Sequence, residues 1–452
     1  MSPLLLTLVV FAAAPVKAPP GASAVLFIPR FDALPKVTPF FEAAGSRSVA
    51  LAPSSWREEP FPLLAVDVTH AESLTAAGID PAGSLSASHL DDRTFACVSL
   101  VDPKVYGARV TEKLARLGTP YPVTVDGLTV TATRDSIERV LAAVVTRGKE
   151  SCTLTGNGLT VDKHLGALVK ALTEPFKAPM LKDLPGVVQL LSPAGAVGLT
   201  TKDLTLTADA RLPKSDGVAA LQGPGPSPLG AFTADGMLVV RARLAKSAMP
   251  GVLEQVLQRL PAMEGLRAAS TKAGALLTGN AALLVSHVRV SSGLRTATAR
   301  FFAMRFALLA ETTDGDAVKG LLATIDPRSL QLREGTLDVA VVGNVVVLSN
   351  DAEAKKKAVA ALETASGKQA HAVEFTVTPP LLAKGLAQVP LLEAVQTPEL
   401  APLLAISTEV GPLFLASERA TGWLGDAAGG GHTAQLTWPL DRAKFAGDGG
   451  TP

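Results

Sequence analysis

The stretch that decides the fold is LDVAVVGNVVVLSND, which spans residues 337–351. Its two apolar strands, Leu337 to Val341 and Val345 to Leu348, surround Gly343-Asn344, a pair that favours a tight hairpin turn. Asp351 is a preferred N-cap residue and predicts a helix that continues through Leu362. The stretch therefore predicts a hairpin followed directly by a capped helix.

An earlier part of the chain has the same order of elements. The strand Thr94 to Leu100 precedes a helix that Asp102-Pro103 would start. A hairpin around Asp126-Gly127 follows, and Asp135 predicts a second helix with Leu141 on its inner face. The corresponding elements of the later part are a strand at 301–309 and a helix at 316–325.

The two parts are related by a nearly constant shift in numbering. A shift of 216 residues gives the equivalent pairs Gly127 with Gly343 and Asp135 with Asp351. A shift near 212 relates the apolar strand Val25–Ile28 to Met237–Val240. Between the two parts, Gly223 to Pro228 has a composition typical of linkers.

We therefore predict the α+β class, with two similar tandem domains that are each a mostly antiparallel sheet covered by helices. The expected divisions are a signal peptide at 1–24, a first α+β domain at 25–222, a Pro/Gly linker at 223–228, a second α+β domain at 229–445 and a flexible tail at 446–452.

The first residues predict export. Leu4 to Ala14 is apolar except for Thr7, which is too short for a membrane span but suits the core of a secretory signal peptide. The preferred cleavage site is Ala22-Ser23-Ala24, before Val25. We expect a periplasmic or extracellular protein with no transmembrane span after signal removal.

Composition argues against a nucleic-acid partner. The chain has 452 residues, with 42 Lys and Arg against 41 Asp and Glu, so there is no basic excess to attract phosphate. Aromatic residues make up only 4%, and the core must be packed mainly from Ala, Leu and Val.

Cys97 and Cys152 are the two cysteines of the chain. In an oxidising compartment they are candidates for a disulfide, and two buried free thiols are the alternative.

The motifs of common catalytic and metal sites are missing from the sequence. There is no Gly-x-Ser-x-Gly and no Cys-x-x-Cys, and no two of the six histidines lie at i, i+2 or i, i+4. We nominate no catalytic residue, no cofactor-binding residue and no metal ligand, and we predict no cofactor.

Three residues are weak candidates for ligand contacts. His89 and His287 each follow a serine, one in each half of the chain, and Trp56 stands in a Pro-flanked segment beside two carboxylates. The alternative is that all three are ordinary polar loop or edge-strand residues.

Four segments carry a resemblance to known proteins. They are the strand Met237–Arg243, the phrase Gly78-Ile79-Asp80-Pro81, the hairpin with Gly343-Asn344 and the Gly-rich closing hairpin from Ala420-Thr421-Gly422-Trp423 to Leu436. The chain resembles a diffuse group of exported bacterial proteins known only as domains of unknown function. The resemblance implies no catalytic or ligand-binding residue.

These observations predict an exported, non-enzymatic binding or structural module of the bacterial envelope. Its partner would be an envelope protein or an apolar ligand, held in a groove or on a sheet face. The alternative is an envelope hydrolase of unrecognised type.

Overall fold

The chain forms two compact units in the computed structural model, unit 1 (Met1–Pro213) and unit 2 (Lys214–Pro452). Both combine helices with predominantly antiparallel sheet, which makes the protein α+β with a majority of strand. The structure describes residues 22–48, 70–83, 85–90, 93–102, 104–106, 108–109, 123–126, 129–132, 141–146, 151–156, 159–164, 186–192, 195–212, 221–249, 272–290, 294, 297–325, 331–332, 335–390, 407–426 and 431–445.

Unit 1 is built mainly of short strands. They are β1 (Ala22–Ile28), β2 (Leu85–Leu90), β3 (Arg93–Leu100), β4 (Val123–Asp126), β5 (Thr129–Ala132), β6 (Leu141–Thr146), β7 (Ser151–Gly156), β8 (Leu159–His164), β9 (Val188–Ser192), β10 (Gly195–Lys202) and β11 (Thr205–Leu212). The helices α1 (Thr38–Gly45) and α2 (Ala71–Ala76) lie between β1 and β2, together with a 3-10 helix at Phe31–Lys36.

The sheet of unit 1 has the strand order β11-β10-β9-β1-β2-β3-β6. Its neighbours pair antiparallel, except for β3 and β6, which are parallel. The pairs β4–β5 and β7–β8 form separate two-stranded ribbons. Helices and strands share the buried side chains, among them Phe31 of the 3-10 helix, Phe40 of α1 and Leu74 of α2.

Within the described ranges, unit 2 has longer strands and more helix than unit 1. Its strands are β12 (Gly225–Ser227), β13 (Leu238–Arg243), β14 (Leu277–Val288), β15 (Met304–Thr312), β16 (Gln331–Leu332), β17 (Gly335–Thr336), β18 (Asp338–Val342), β19 (Val345–Ser349), β20 (Gly367–Gln369), β21 (Val373–Val377), β22 (Ala420–Asp426) and β23 (His432–Pro439). Its helices are α3 (Ala297–Ala303), α4 (Gly315–Leu322), α5 (Ala352–Leu362), α6 (Pro379–Leu386) and α7 (Gly411–Leu415), with 3-10 turns at Lys246–Ala248 and Arg442–Lys444.

The sheet of unit 2 has the order β18-β19-β15-β14-β13-β21-β22-β23, and all its neighbours are antiparallel. One face packs Leu284, Leu309 and Val347 against Ala354 and Ala358 of α5. The other face packs a second cluster that contains Val285 and Phe306 of the sheet, Phe302 of α3, and Leu381 and Leu382 of α6. Helices therefore cover both faces of this part of the sheet.

The predicted hairpin and capped helix of unit 2 are confirmed. Val342 pairs with Val345 across Gly343-Asn344, and Gly343 has a φ of +57°, a conformation that glycine adopts without steric cost. The Asp351 side chain accepts a hydrogen bond of 2.9 Å from the backbone N–H of Ala354 and so caps α5. Asp314 caps α4 in the same manner through Ala317 N, at 2.9 Å.

The prediction of a helix that includes Leu141 and Val144 is wrong. Leu141–Thr146 is the strand β6, paired in parallel with β3 so that Val144 lies opposite Val98. The segment is a short apolar run with β-branched residues, which periodicity alone does not separate from a buried helix. Asp135 itself and Gly127 lie outside the described residues, whereas the strands on either side of Gly127 pair as predicted.

The strand predicted at 301–309 begins three residues later in the structure, at Met304. Residues 301–303 complete α3, and β15 starts at Met304. Phe302 is fully buried, and its ring fills the space above Gly335, where an added Cβ would lie 2.4 Å from the ring. The apolar character of this segment therefore reflects a buried helical turn.

The predicted linker is ordered structure. The two units divide between Pro213 and Lys214, and Gly225–Ser227 forms β12, which pairs with β20. Gly225 and Ser227 are buried, since the Arg243 side chain and the neighbouring strand pack against them. A Pro/Gly-rich composition also suits a short strand at the sheet margin.

Among the described residues, no helix is long and apolar enough to cross a membrane. The predicted signal cleavage site, Ala22 to Ala24, forms the first part of β1, where Ala24 pairs with His89. Residues 1–21 lie outside the described part of the chain.

Candidate functional site

The candidate residues from the sequence fall at separate places. Trp56 lies outside the described residues. His89 is the penultimate residue of β2, opposite Ala24 and Thr94, and His287 is the penultimate residue of β14, opposite Arg305. Both histidines therefore lie within a strand of the main sheet of their unit.

His287 lies at an irregularity of the sheet. The register of β14 shifts between Val285 and His287, as in a β-bulge, which re-aims a side chain. The Ser286 Oγ is 3.0 Å from His287 Nδ1 and also donates to the Arg305 carbonyl at 3.1 Å. Ser286 is only 4% exposed, so this hydroxyl is not presented to a substrate. His287 stays a half-buried candidate for a ligand contact.

Of the two cysteines, one lies in the main sheet of unit 1 and the other in the β7–β8 ribbon. Cys97 is in β3 between Ser86 and Ala143, and Cys152 is in β7 opposite Lys163. The disulfide stays a prediction.

A surface that the sequence analysis did not identify lies on β21, β22 and β23. On one face of these strands every second residue is polar or aromatic, in two rows across the sheet: Glu374, Trp423 and Gln435, and Thr376, Thr421 and Thr437. Residues directly opposite in an antiparallel pair share a face, so each row is contiguous. We call these six residues, with His371, the polar face.

An ion pair fixes one border of the polar face. Arg241 lies opposite Glu374, and its Nη2 donates to Glu374 Oε2 at 2.6 Å. The other carboxylate oxygen accepts the backbone N–H groups of Ala370 at 2.7 Å and His371 at 3.0 Å. Both oxygens are therefore occupied, and Glu374 serves to hold the 370–372 segment in place.

The aromatic centre of the polar face is a stacked pair. The rings of His371 and Trp423 lie 4.0 Å apart with an interplanar angle of 10°. Trp423 Nε1 donates to Gln435 Oε1 at 3.3 Å. Gly425 lies beside the imidazole, and a Cβ at this position would make an ordinary contact of 3.6 Å with His371 Nδ1. The indole is thus held from two sides.

The threonine row beside the indole is unpaired. Thr421 is exposed, and Thr376 and Thr437 are half-buried. Within the described residues their hydroxyl groups make no hydrogen bond, and neither do the ring nitrogens of His371. Arg419, the residue directly before β22, is paired with Asp235 at 3.3 Å. The polar face therefore offers neutral donors and acceptors beside an aromatic ring.

Other side-chain clusters in unit 2 are weaker candidates for a binding site. An open groove of about 520 Å³ runs along α5 and is lined partly by Asp338, Lys355 and Glu363. Lys355 is paired with Asp338 at 2.6 Å, and both are partly or largely exposed, so this groove is an ordinary charged surface. No group of three or more His, Cys, Asp and Glu able to hold a metal occurs in the described ranges.

Alternation in the sequence marks each strand of the polar face but does not bring the strands together. Glu374-x-Thr376, Thr421-x-Trp423 and Gln435-x-Thr437 each alternate polar and apolar residues, but their adjacency depends on strand pairing across distant parts of the chain. Comparison of the chain with protein-family models, with curated proteins and with solved structures found no match.

Proposed function

We propose that this protein is an exported, non-enzymatic binding module of the bacterial envelope, and that the polar face of unit 2 is its contact surface. The observation that carries the proposal is the stacked His371–Trp423 pair beside three unpaired hydroxyl groups. An indole held rigidly loses little conformational freedom when it contacts a ligand, and binding surfaces use Trp for this reason.

Export is the second part of the proposal. The apolar run Leu4–Ala14 and the small-residue site before Val25 support it. N-terminal sequencing of the mature protein should begin at Val25 or, as the second possibility, at Pro19. A mature protein that retains Met1 or Ser2 would remove the envelope from the proposal.

We also propose that the two units are duplicates. Six strands of unit 1, in the order β11-β10-β9-β1-β2-β3, correspond to β23-β22-β21-β13-β14-β15 of unit 2, and all neighbours are antiparallel. A shift of 212 residues relates Val25 to Met237 and also Asp102 to Asp314. In addition, the corresponding strands β2 and β14 both end in a Ser-His-apolar triplet. These agreements support one ancestral unit.

The alternative, an envelope hydrolase, has one observation in its favour, the 3.0 Å contact between Ser286 and His287. A nucleophilic serine must reach its substrate, and Ser286 is buried and hydrogen-bonded to a backbone carbonyl. This geometry favours a structural role for the pair.

Sedimentation of the purified full-length chain with isolated envelope tests the proposed function. Wild-type protein should co-sediment, and Trp423→Ala should lose most of this binding. The matched control is Trp438→Phe, because Trp438 lies in β23 outside the polar face and donates to Ser417 Oγ at 2.9 Å. Equal sedimentation of wild type and Trp423→Ala would overturn the polar face as the contact surface.

A further inference from the structure

We propose that the polar face binds a neutral saccharide, with one pyranose ring placed against Trp423 and its hydroxyl groups on the threonine row. This inference rests on the proposed function, because it names the ligand of the same surface.

The first argument is the aromatic ring. The face of an indole carries negative charge density, which attracts the polarised C–H bonds on the apolar side of a sugar ring. His371 covers one face of Trp423. In the described part of the chain no other ring contacts the indole, and Trp423 is half-buried, so part of the indole is accessible to a ligand.

The second argument is the set of hydrogen-bonding groups. A hydroxyl group is both a donor and an acceptor, so it suits sugar hydroxyls, which are the same. Thr376, Thr421 and Thr437 lie directly opposite one another on adjacent strands, at a spacing of about 4.8 Å. A row of this kind can contact successive hydroxyl groups along one or two sugar rings.

The third argument is charge. Arg241 is paired with Glu374, and Arg419 is paired with Asp235. A phosphate or carboxylate ligand is normally held by an unpaired Arg or Lys. The Arg241–Glu374 pair is at most 20% exposed and its two charges neutralise each other, so this border of the polar face offers no net charge to an anion, and the ligand proposed is uncharged.

The corresponding strands of unit 1 lack the aromatic component. Thr200 pairs with Thr207 between β10 and β11, which repeats a pair of hydroxyls, but β9, β10 and β11 contain no aromatic residue. The saccharide site is therefore assigned to unit 2 alone.

Titration with defined neutral oligosaccharides tests the inference. The probes are chitotetraose, cellotetraose and maltotetraose, added to the full-length protein at up to millimolar concentration and followed by calorimetry and tryptophan fluorescence. At least one probe should bind wild type, and Trp423→Ala should weaken that binding about tenfold or more, the size of one lost aromatic contact. Trp438→Phe should bind as wild type does.

Thr421→Val keeps the inference testable if Trp423→Ala fails to fold. The substitution removes one hydroxyl at an exposed strand position that tolerates valine, and it should weaken binding several-fold. Failure of all three probes to bind wild type would overturn the inference. So would tighter binding of inorganic phosphate or a hexose phosphate than of the neutral probes.

The two proposals fail in different ways. Envelope binding that depends on Trp423, with no binding of the oligosaccharides, would overturn the saccharide and leave the proposed function in place. Loss of Trp423-dependent envelope binding as well would overturn both.

Discussion

Six antiparallel strands have the same order in the sheets of the two units. The units differ in the elements that follow β3 in unit 1 and β15 in unit 2. In unit 2, β15 pairs antiparallel with β19 of the hairpin, and α5 then packs on the sheet. In unit 1, β3 pairs in parallel with β6, and the β4–β5 hairpin forms its own ribbon. The difference shows that the central strands tolerate different arrangements at their margin.

Physical causes for the difference can be read from the residues. Val345 and Val347 of the unit 2 hairpin are buried, and Ala354 and Ala358 let α5 approach the sheet closely. In unit 1 the segment in the place of that helix is rich in β-branched residues, which favour a strand. A margin strand of this kind pairs with the nearest free sheet edge, here β3.

The largest expected effect comes from removing a core leucine in each unit. Leu284 of β14 and Leu74 of α2 are almost completely buried, at 0% and 1% exposure. Leu284→Ala and Leu74→Ala should each lower the free energy of unfolding by about 2–5 kcal/mol, because a cavity adds to the lost transfer energy. Urea unfolding measures the loss, and hydrogen exchange should assign it to unit 2 and unit 1 respectively.

Exposed valines provide matched controls for the two leucines. Val342→Ala in unit 2 and Val101→Ala in unit 1, at 38% and 52% exposure, should change stability by about 0.5 kcal/mol or less. Protection lost equally in both units by either leucine variant would contradict the division into two cores.

The next effect concerns unit 1 alone. A Cys97–Cys152 bridge would tie β3 to β7 across the segment that differs from unit 2. Cys97→Ala should then lower the stability of unreduced protein by about 2–4 kcal/mol, because the closed loop no longer restricts the unfolded chain. Reductant should lower wild type to the same level and leave the variant unchanged. Two free thiols in unfolded, unreduced wild type would rule out the bridge.

The elements that the sequence predicted correctly depend on local signals. Gly343-Asn344 and the cap at Asp351 act within a few residues, and the structure has them as expected. The helix prediction for Leu141–Thr146 was wrong because this segment forms a strand by pairing with the free edge of β3, which lies more than forty residues earlier in the chain.

The candidate site could not be predicted from the sequence because it also depends on pairing between strands that are distant in the chain. Glu374 and Trp423 become neighbours only when β21 pairs with β22, which is separated from it in the chain by the described helices α6 and α7 among other residues. His371 stacks on Trp423 although 52 residues separate them in the chain, a contact that no single-sequence pattern reveals. By contrast, the Ser286-His287 pair was visible in the sequence, but the burial of Ser286 was not.

An alkaline titration separates the units by a different property. Both tyrosines of the chain lie in unit 1, and burial raises the pKa of the Tyr106 phenol above its ordinary value. Below pH about 10 the Tyr106 phenol is protonated in both the folded and the unfolded protein, so its ionisation does not lower the free energy of unfolding. Above it the unfolded state ionises first, so stability should fall by about 1.4 kcal/mol per pH unit until the folded pKa is reached.

Tyr106→Phe isolates this contribution. The difference in unfolding free energy between wild type and the variant should be constant from pH about 7 to 9 and should then shift against wild type as the pH rises further. A difference that stays constant to pH about 11.5 would contradict the raised pKa.

The smallest effect tests the duplication most directly. Asp102 follows β3 and Asp314 follows β15; residues 104–106 after Asp102 are helical, and Asp314 caps α4. Asp102 Oδ1 accepts from the N–H groups of Lys104 at 3.0 Å and Val105 at 3.2 Å, and Asp314 Oδ1 accepts from Ala317 at 2.9 Å. Asp102→Ala and Asp314→Ala should therefore each cost about 1 kcal/mol, measured by urea unfolding.

The asparagine variants show whether the cap or the charge is responsible. Asn caps a helix about as well as Asp, so Asp102→Asn and Asp314→Asn should stay within a few tenths of a kcal/mol of wild type. An equal loss in the Asn and Ala variants would instead assign the effect to the carboxylate charge. If Asp314→Ala is costly and Asp102→Ala is neutral, the two helix starts are not equivalent. The correspondence between the units would then end at β3 and β15, after which their sheet margins already differ.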